Sequence, residues 1–299
     1  GTVGRATGET LQHVGHEVIF LDINDQVIES LKQNGYQAFN SNESLEGITG
    51  EIIILTVNTP LSSDRKVDLA YLINVTKKVG TEVLKNSVKE FDYPVYVNRC
   101  TNPPFTTKNT IQPLLEETGL KMGTDFGIAY YPEYLRAKTN VEDRYNPWFT
   151  LIADNDDKSA QIIIDALEPL LKNSPVYKTE IETAEYQKYL NNLFNAAKIS
   201  FFNESYTTGL KLGLKPEQLE KAISLTSESA EGSWNPQYGT RMPGHPYGGA
   251  CLPKDTIGLF SHIKDTLDFE APLLKAIIDV NDELCKTADE ADVEPLLRK

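Results

Sequence analysis

Residues 51–57 read Glu-Ile-Ile-Ile-Leu-Thr-Val (EIIILTV), a short apolar run rich in β-branched residues. A run of that length, apolar without alternation, is a strand covered on both faces, as in parallel sheets. Four more runs of this kind flank it: 16–23 (HEVIFLDI), 94–100 (PVYVNRC), 125–131 (DFGIAYY) and 149–153 (FTLIA). Between them, residues 25–34, 68–84, 105–118 and 157–172 carry helical periodicity. Strands alternating with helices predict an α/β domain, a doubly wound parallel sheet with helices on both sides. From about Glu182 the character changes, and amphipathic helical patterns at 183–212, 216–225, 255–264 and 271–285 are broken only by the polar loop 226–249. The expected organisation is an α/β domain over 1–181, an all-helical domain over 182–286 and a tail over 287–299.

The chain has 299 residues, 40% of them hydrophobic and 24% charged, an ordinary globular composition. Its net charge of −14 argues against nucleic acid or an acidic membrane surface as a partner. No apolar run approaches the ~20 residues that span a bilayer. The three cysteines, Cys100, Cys251 and Cys285, form no metal or disulfide pattern, which fits a reducing cytoplasm. No metal site is expected.

Three segments carry nucleotide chemistry. Gly1-Thr2-Val3-Gly4 opens directly into a helical pattern, and the strand after it ends at Asp22. A glycine turn at a helix N-terminus offers backbone N–H groups to a pyrophosphate, and the acidic residue can accept ribose hydroxyls. A flexible lead-in and a strand-end turn residue are the alternative. A doubly wound sheet also needs a central strand before that turn, and unpaired edges would open the core. The expectation is therefore that residues precede Gly1, including a strand and a first glycine. Val57-Asn58-Thr59-Pro60 and Cys100-Thr101-Asn102-Pro103 follow two strands, where ligands of open α/β sheets bind. Each is also compatible with plain turn chemistry.

Three further segments carry reactive groups. Pro132-Glu133-Tyr134-Leu135-Arg136 puts a carboxylate at the same sheet edge, where partial burial suits it to acid/base work. A surface glutamate is the plain alternative. In Ala184-Glu185-Tyr186-Gln187-Lys188-Tyr189-Leu190-Asn191-Asn192, Lys188 and Asn192 stand four apart on one helical face and could hold an oxyanion or a water. The alternative is a solvated lysine, but the apolar neighbours suggest burial. Finally, Tyr247-Gly248-Gly249-Ala250-Cys251-Leu252-Pro253-Lys254-Asp255 sets a cysteine at the start of a helix. A helix N-terminus or a nearby ammonium favours the nucleophilic thiolate. Gly248 and Gly249 allow close approach of a ligand, and Asp255 could cap the helix or pair with an acid/base group. A free cysteine packed under a turn remains the alternative.

In order along the chain, GTVG with Asp22, VNTP followed by Asp68-Leu69, RCTNPP, PEYLR, AEYQKYLNN and PYGGACLPKD resemble the UDP-glucose/GDP-mannose dehydrogenase family. These NAD-dependent enzymes oxidise the C6 alcohol of a nucleotide sugar to a carboxylate. The resemblance covers nearly the whole chain. It implies a Rossmann-like NAD domain followed by a helical domain that makes the dimer through its long helix. By it, Cys251 captures the aldehyde and holds it through a thioester. Glu133 is the acid/base, Lys188 and Asn192 stabilise the oxyanion, and Asp255 positions a water or an ammonium. Gly1, Thr2, Val3, Gly4, Asp22, Val57, Thr59, Pro60, Thr101 and Lys254 fall at the cofactor, and Tyr134, Leu135, Arg136, Tyr247 and Gly248 at the nucleotide sugar. UDP-glucose is the first expected substrate, with UDP-N-acetylmannosamine and GDP-mannose as alternatives. A two-electron hydroxyacid dehydrogenase and a non-catalytic dinucleotide-binding module are the rival readings.

Departures fall at Phe105 and Pro246, where the family carries glycine, at Ala137-Lys138 for its Glu-Gly, and at Asn235 for an arginine that crosses the dimer. Members continue into a C-terminal domain over the nucleotide, whereas this sequence stops at Lys299. The expectation is a fragment, or a short form with an incomplete sugar-nucleotide site.

Overall fold

The computed structural model describes residues 1–134, 145, 147–172, 174–211, 213–229, 246–267 and 270–287. They fall into two compact units, one of residues 1–59 and 68–186, the other of residues 60–67 and 187 onward.

The first unit contains seven described strands: β1 (Ile19–Asp22), β2 (Gln37–Asn40), β3 (Ile52–Leu55), β4 (Val95–Asn98), β5 (Gly127–Tyr130), β6 (Thr150–Asp154) and β7 (Val176–Thr179). β1 and β2 pair by themselves, and the other five form one sheet in sequence order. Among the described residues, β1 and β3 therefore lie at the edges of two separate sheets. All pairings are parallel except β5 with β6, where Ala129 faces Asp154 and Tyr130 faces Ala153 in antiparallel register. That reversal departs from the all-parallel expectation. A strand buried on both faces is apolar throughout, so its side chains carry no sign of direction.

Alternation along β4 sorts its side chains between two cores. Val95 and Val97 face a cluster with Ala129, Ile152, Ala160, Ile163 and Leu167, to which Leu11 adds. Tyr96 faces the other way, into a larger cluster with Leu55, Leu72, Val79, Ile111, Leu115, Ile128 and Tyr130. The helices that close these faces are α1 (Thr2–His13), α3 (Ala70–Val79), the single turn α4 (Lys85–Ser87), α5 (Gln112–Glu116) and α6 (Ser159–Leu171), while α2 (Asp25–Gln33) packs on β1 and β2 around Phe20 and Ala38. Asn24 starts α2 by accepting the N–H of Gln26 at 2.9 Å, a side-chain cap. Where one helix is expected over 68–84 and another over 105–118, the backbone inserts π turns at Gly80–Leu84 and Thr107–Ile111.

The second unit is helical: most of α7 (Ile181–Lys211), then α8 (Pro216–Ser229), α9 (Leu252–Leu267) and α10 (Pro272–Thr287). Tyr189, Leu259, Ala271, Leu274 and Ile278 form one core, and Ala196, Tyr247, Leu252 and Ile277 another. The turn 60–67 joins this unit, with Leu61 bridged to Val67 and Lys66 Nζ 2.9 Å from Asp265. No described helix is long and apolar enough to cross a membrane.

Close packing of α1 on β1 depends on a missing side chain. A Cβ on Gly8 would stand 2.4 Å from Cε1 and Cζ of Phe20, well inside van der Waals contact. Gly8→Ala is expected to destabilise the protein by about 1–3 kcal/mol through overpacking. Urea unfolding measures it, and an unchanged midpoint would mean that the ring swings aside freely.

Candidate active site

β3, β4 and β5 are mutually parallel, so the loops after them leave the same edge of the sheet. The loop after β5 carries Glu133, which does not stand as an isolated surface carboxylate. Its Oε2 accepts a hydrogen bond from Nη2 of Arg99, and the side chains are 15% and 7% exposed respectively. Arg99 Nη1 also donates to the carbonyl of Tyr131 at 3.3 Å, and its guanidinium lies 3.8 Å from the centre of the Tyr131 ring. Burial works against the charge of Arg99, but Glu133 and Tyr131 outweigh it and hold its pKa above the ordinary value. Arg99 Nε finds no partner among the described residues. The pair lines a cleft with Thr7 and Thr10 of α1, Leu167 and Leu171 of α6, and Trp148. Tyr134 packs edge-on against Trp148 and Phe149 at the cleft's rim. Leu135 and Arg136 lie outside the described residues, as do Ala137, Lys138 and Asn235.

Gly1 is the N-cap of α1 and no side chain caps the helix, so the N–H groups of Thr2, Val3 and Gly4 carry no side-chain partner from the cap. A Cβ on Gly4 would stand 2.4 Å from Thr56 Oγ1, which brings this turn against the end of β3. At the end of β1, Asp22 accepts from Asn24 N at 3.0 Å. Val57 packs on the larger core, and the buried Thr59 donates through Oγ1 to the carbonyl of Thr101 at 2.5 Å. Pro60 follows as the first residue assigned to the second unit. An uncapped helix start, an acidic strand end and hydroxyl-bearing strand-end loops are a donor and acceptor set that fits a dinucleotide.

In the second unit, Cys251 immediately precedes α9, and its carbonyl accepts the N–H of Asp255 at 2.8 Å. Its thiol is exposed. Asp255 is 1% exposed and gathers two neighbours: Asn192 Nδ2 donates to its Oδ2, and Lys254 Nζ lies 2.9 Å from its Oδ1. The latter is an ion pair off the hydrogen-bonding direction. Lys188, one turn before Asn192, is buried as well. Asp255 therefore acts as an anchor for an amide and an ammonium, and Lys254 is shared with it. Tyr247 is buried in the core with Ala196, Leu252 and Ile277, and burial raises its phenol to about 12. Its N–H reaches Asn281 Oδ1 at 2.6 Å, which pins the loop just before Gly248. Gly249 takes φ +75°, the left-handed region that favours glycine.

Two residues with no expected role bind the strand-end loops. Arg99 is one. The other is Glu185, fully buried and bonded to Asn102 and Thr107. Its signal was present, since Glu185, Lys188 and Asn192 recur at i, i+3 and i+7 on one helical face.

Residues 37–171 match the NAD-binding domain of the UDP-glucose/GDP-mannose dehydrogenase family, and residues 182–283 match its central domain. A GDP-mannose 6-dehydrogenase from Pseudomonas putida is 30% identical over 97% of this chain and 68% of that protein. A UDP-glucose 6-dehydrogenase from Rickettsia bellii is 28% identical over 95% of this chain and 65% of that protein. This chain thus spans about two thirds of the length of these relatives. The fold is that of a UDP-glucose dehydrogenase from the archaeon Pyrobaculum islandicum, with a TM-score of 0.79 over 99% of this chain and 69% of that one, at 24% identity.

The Asp255 contacts are directly testable. Asp255→Ala strands the buried amide of Asn192 and is expected to cost about 1–3 kcal/mol. Asp255→Asn keeps an acceptor for that amide and should cost less. Denaturant midpoints decide, and a wild-type midpoint for Asp255→Ala would show that the cluster does not anchor the fold.

Proposed function

Because the chain belongs to the UDP-glucose/GDP-mannose dehydrogenase family, we propose that it oxidises the C6 alcohol of a nucleotide sugar to the carboxylate with Cys251 as nucleophile. The observation that supports this most is an exposed thiol at the start of α9, one turn before a buried Asp255 that grips Asn192 and Lys254. NAD, when bound, supplies the hydride acceptor, and two equivalents are needed for the four electrons between alcohol and acid. The residues that would hold it are the first turn of α1, Asp22, Val57, Thr59, Pro60, Thr101 and Lys254.

The protein's share of the chemistry follows from its side chains. An aldehyde at C6 is hydrated and lost unless something holds it, and the Cys251 thiolate does so by bonding to the carbonyl carbon. Addition puts negative charge on the carbonyl oxygen, which Lys188 and the second N–H of the Asn192 amide stabilise. The first N–H is committed to Asp255, so the amide meets the oxyanion already oriented. At the thioester stage water attacks the acyl carbon, the C–S bond breaks and the thiolate is regenerated. Glu133 takes the proton of that water, with Arg99 fixing its carboxylate. Tyr134, Leu135, Arg136 and Gly248 are assigned to the nucleotide sugar, while Tyr247, with its ring in a core, holds the loop before Gly248.

UDP-glucose is the proposed substrate. GDP-mannose is the second reading, favoured by the 30% identical relative that carries that name. The exposed apolar residues Leu190, Phe194 and Phe201 on α7 form the proposed face of a homodimer.

NADH formed per sugar consumed, with UDP-glucose, GDP-mannose and UDP-N-acetylmannosamine offered separately, tests both chemistry and substrate. Two NADH per UDP-glucose is the expected result, and Cys251→Ala should abolish acid formation while cofactor affinity is unchanged. One NADH per sugar, or undiminished acid from Cys251→Ala, overturns the covalent route. For the dimer, Phe194→Glu should sediment as a monomer where the parent sediments as a dimer. A monomeric parent protein overturns that assignment.

A further inference from the structure

The loop after β4, residues 99–107, is held by one buried carboxylate outside the proposed chemistry. Glu185 is 0% exposed. Its Oε1 accepts three hydrogen bonds: from Asn102 Nδ2 at 2.8 Å, Thr107 N at 2.9 Å and Thr107 Oγ1 at 2.6 Å. The loop's own groups extend the network. Asn98 Nδ2 donates to Asn102 Oδ1 at 2.8 Å and lies 3.0 Å from Thr107 Oγ1, while Asn98 Oδ1 accepts from Cys100 N at 3.0 Å. Thr106 Oγ1 donates to the carbonyl of Pro103 at 2.6 Å. Thr101 stands inside this clamp, with its carbonyl bound by Thr59.

The clamp works against two costs. Phe105, within the loop, takes φ +70°, a left-handed conformation that L residues resist. Glu185 Oε2 is buried without a partner among the described residues, so half of a desolvated carboxyl group is left unsatisfied. Burial accordingly pushes its pKa up, against the pull of Thr107 and Asn102. A strained loop gripped by a costly buried acid is one whose shape matters at the ligand edge of the sheet.

We propose that Glu185 is a positioning residue for cofactor binding, which fixes the 99–107 loop in the conformation that presents Thr101. This rests on the reading of that loop as a cofactor contact. Without the clamp the loop samples other conformations, and the apparent dissociation constant rises as the inverse of the competent fraction that remains. Glu185→Leu should therefore weaken NAD+ binding about tenfold, and Glu185→Gln, which keeps an acceptor at Oε1, should bind as the parent does.

The test combines NAD+ calorimetry with hydrogen exchange of the 99–107 peptide, on the full chain well below its melting temperature. NAD+ is expected to slow exchange in that peptide in the parent protein. Glu185→Leu should speed it and raise the dissociation constant, with Glu185→Gln restoring both. Faster exchange with an unchanged dissociation constant would make Glu185 merely structural and overturn the inference while leaving the cofactor reading standing. Absence of NAD+ protection in the parent overturns the cofactor reading, and the inference with it. Should Glu185→Leu not fold, Thr107→Val removes one of the three bonds to Glu185, together with the Asn98 contact, and should weaken binding about threefold. An unchanged constant there overturns the inference equally.

Discussion

A carboxylate taken out of water must be matched by donors or cations, and three such groups organise the functional parts of this protein. Glu133 collects the guanidinium of Arg99, Glu185 collects the donors of a loop, and Asp255 collects an amide and an ammonium. In each case desolvation is offset, fully or in part, by drawing segments far apart in sequence into one arrangement. Asn102 and Glu185 are 83 residues apart, and Asn192 and Asp255 are 63 apart. The apolar cores decide that the sheet and the helices form. The buried acids decide where the strand-end loops and the start of α9 stand upon them.

The parts of the fold legible in the sequence are those with dense local pattern. The five apolar runs became β1, β3, β4, β5 and β6, trimmed by one to three residues at most ends. β2 and β7 escaped notice for a physical reason. Gln37–Asn40 buries only Ala38, and Val176–Thr179 buries nothing fully. Each is an edge strand, with neither an apolar run nor a clean alternation to mark it. The π turns at Gly80–Leu84 and Thr107–Ile111 are equally silent, because one extra residue in a helix barely disturbs an apolar period.

The residues to which chemistry is assigned stand out one by one in the sequence, whereas their partners do not. Cys251 before Lys254 and Asp255 announces itself by spacing, and so do Lys188 and Asn192. Nothing in RCTNPP says that Arg99 will reach Glu133, and nothing in AEYQKYLNN says that Glu185 will reach back to Thr107. Those contacts depend on parallel strands bringing their carboxyl ends to one edge, which is a property of the sheet rather than of any segment. Tyr247 shows the converse. Within a glycine-rich motif it reads as a ligand contact, yet its ring is built into a core and its N–H pins the loop.

The identity of residue 99 illustrates how far such partners constrain the chain. A lysine could offer a charge to Glu133, but one ammonium cannot also lie flat on a ring and reach a carbonyl to the side. The guanidinium does all three at once, because its donors form a planar fork and its face stacks on Tyr131. That geometry fixes Glu133 and the backbone before it as one unit, so the carboxylate and the strand end move together or not at all. Arg99 thus ties the end of β5 to the residue to which the hydrolytic proton transfer is assigned.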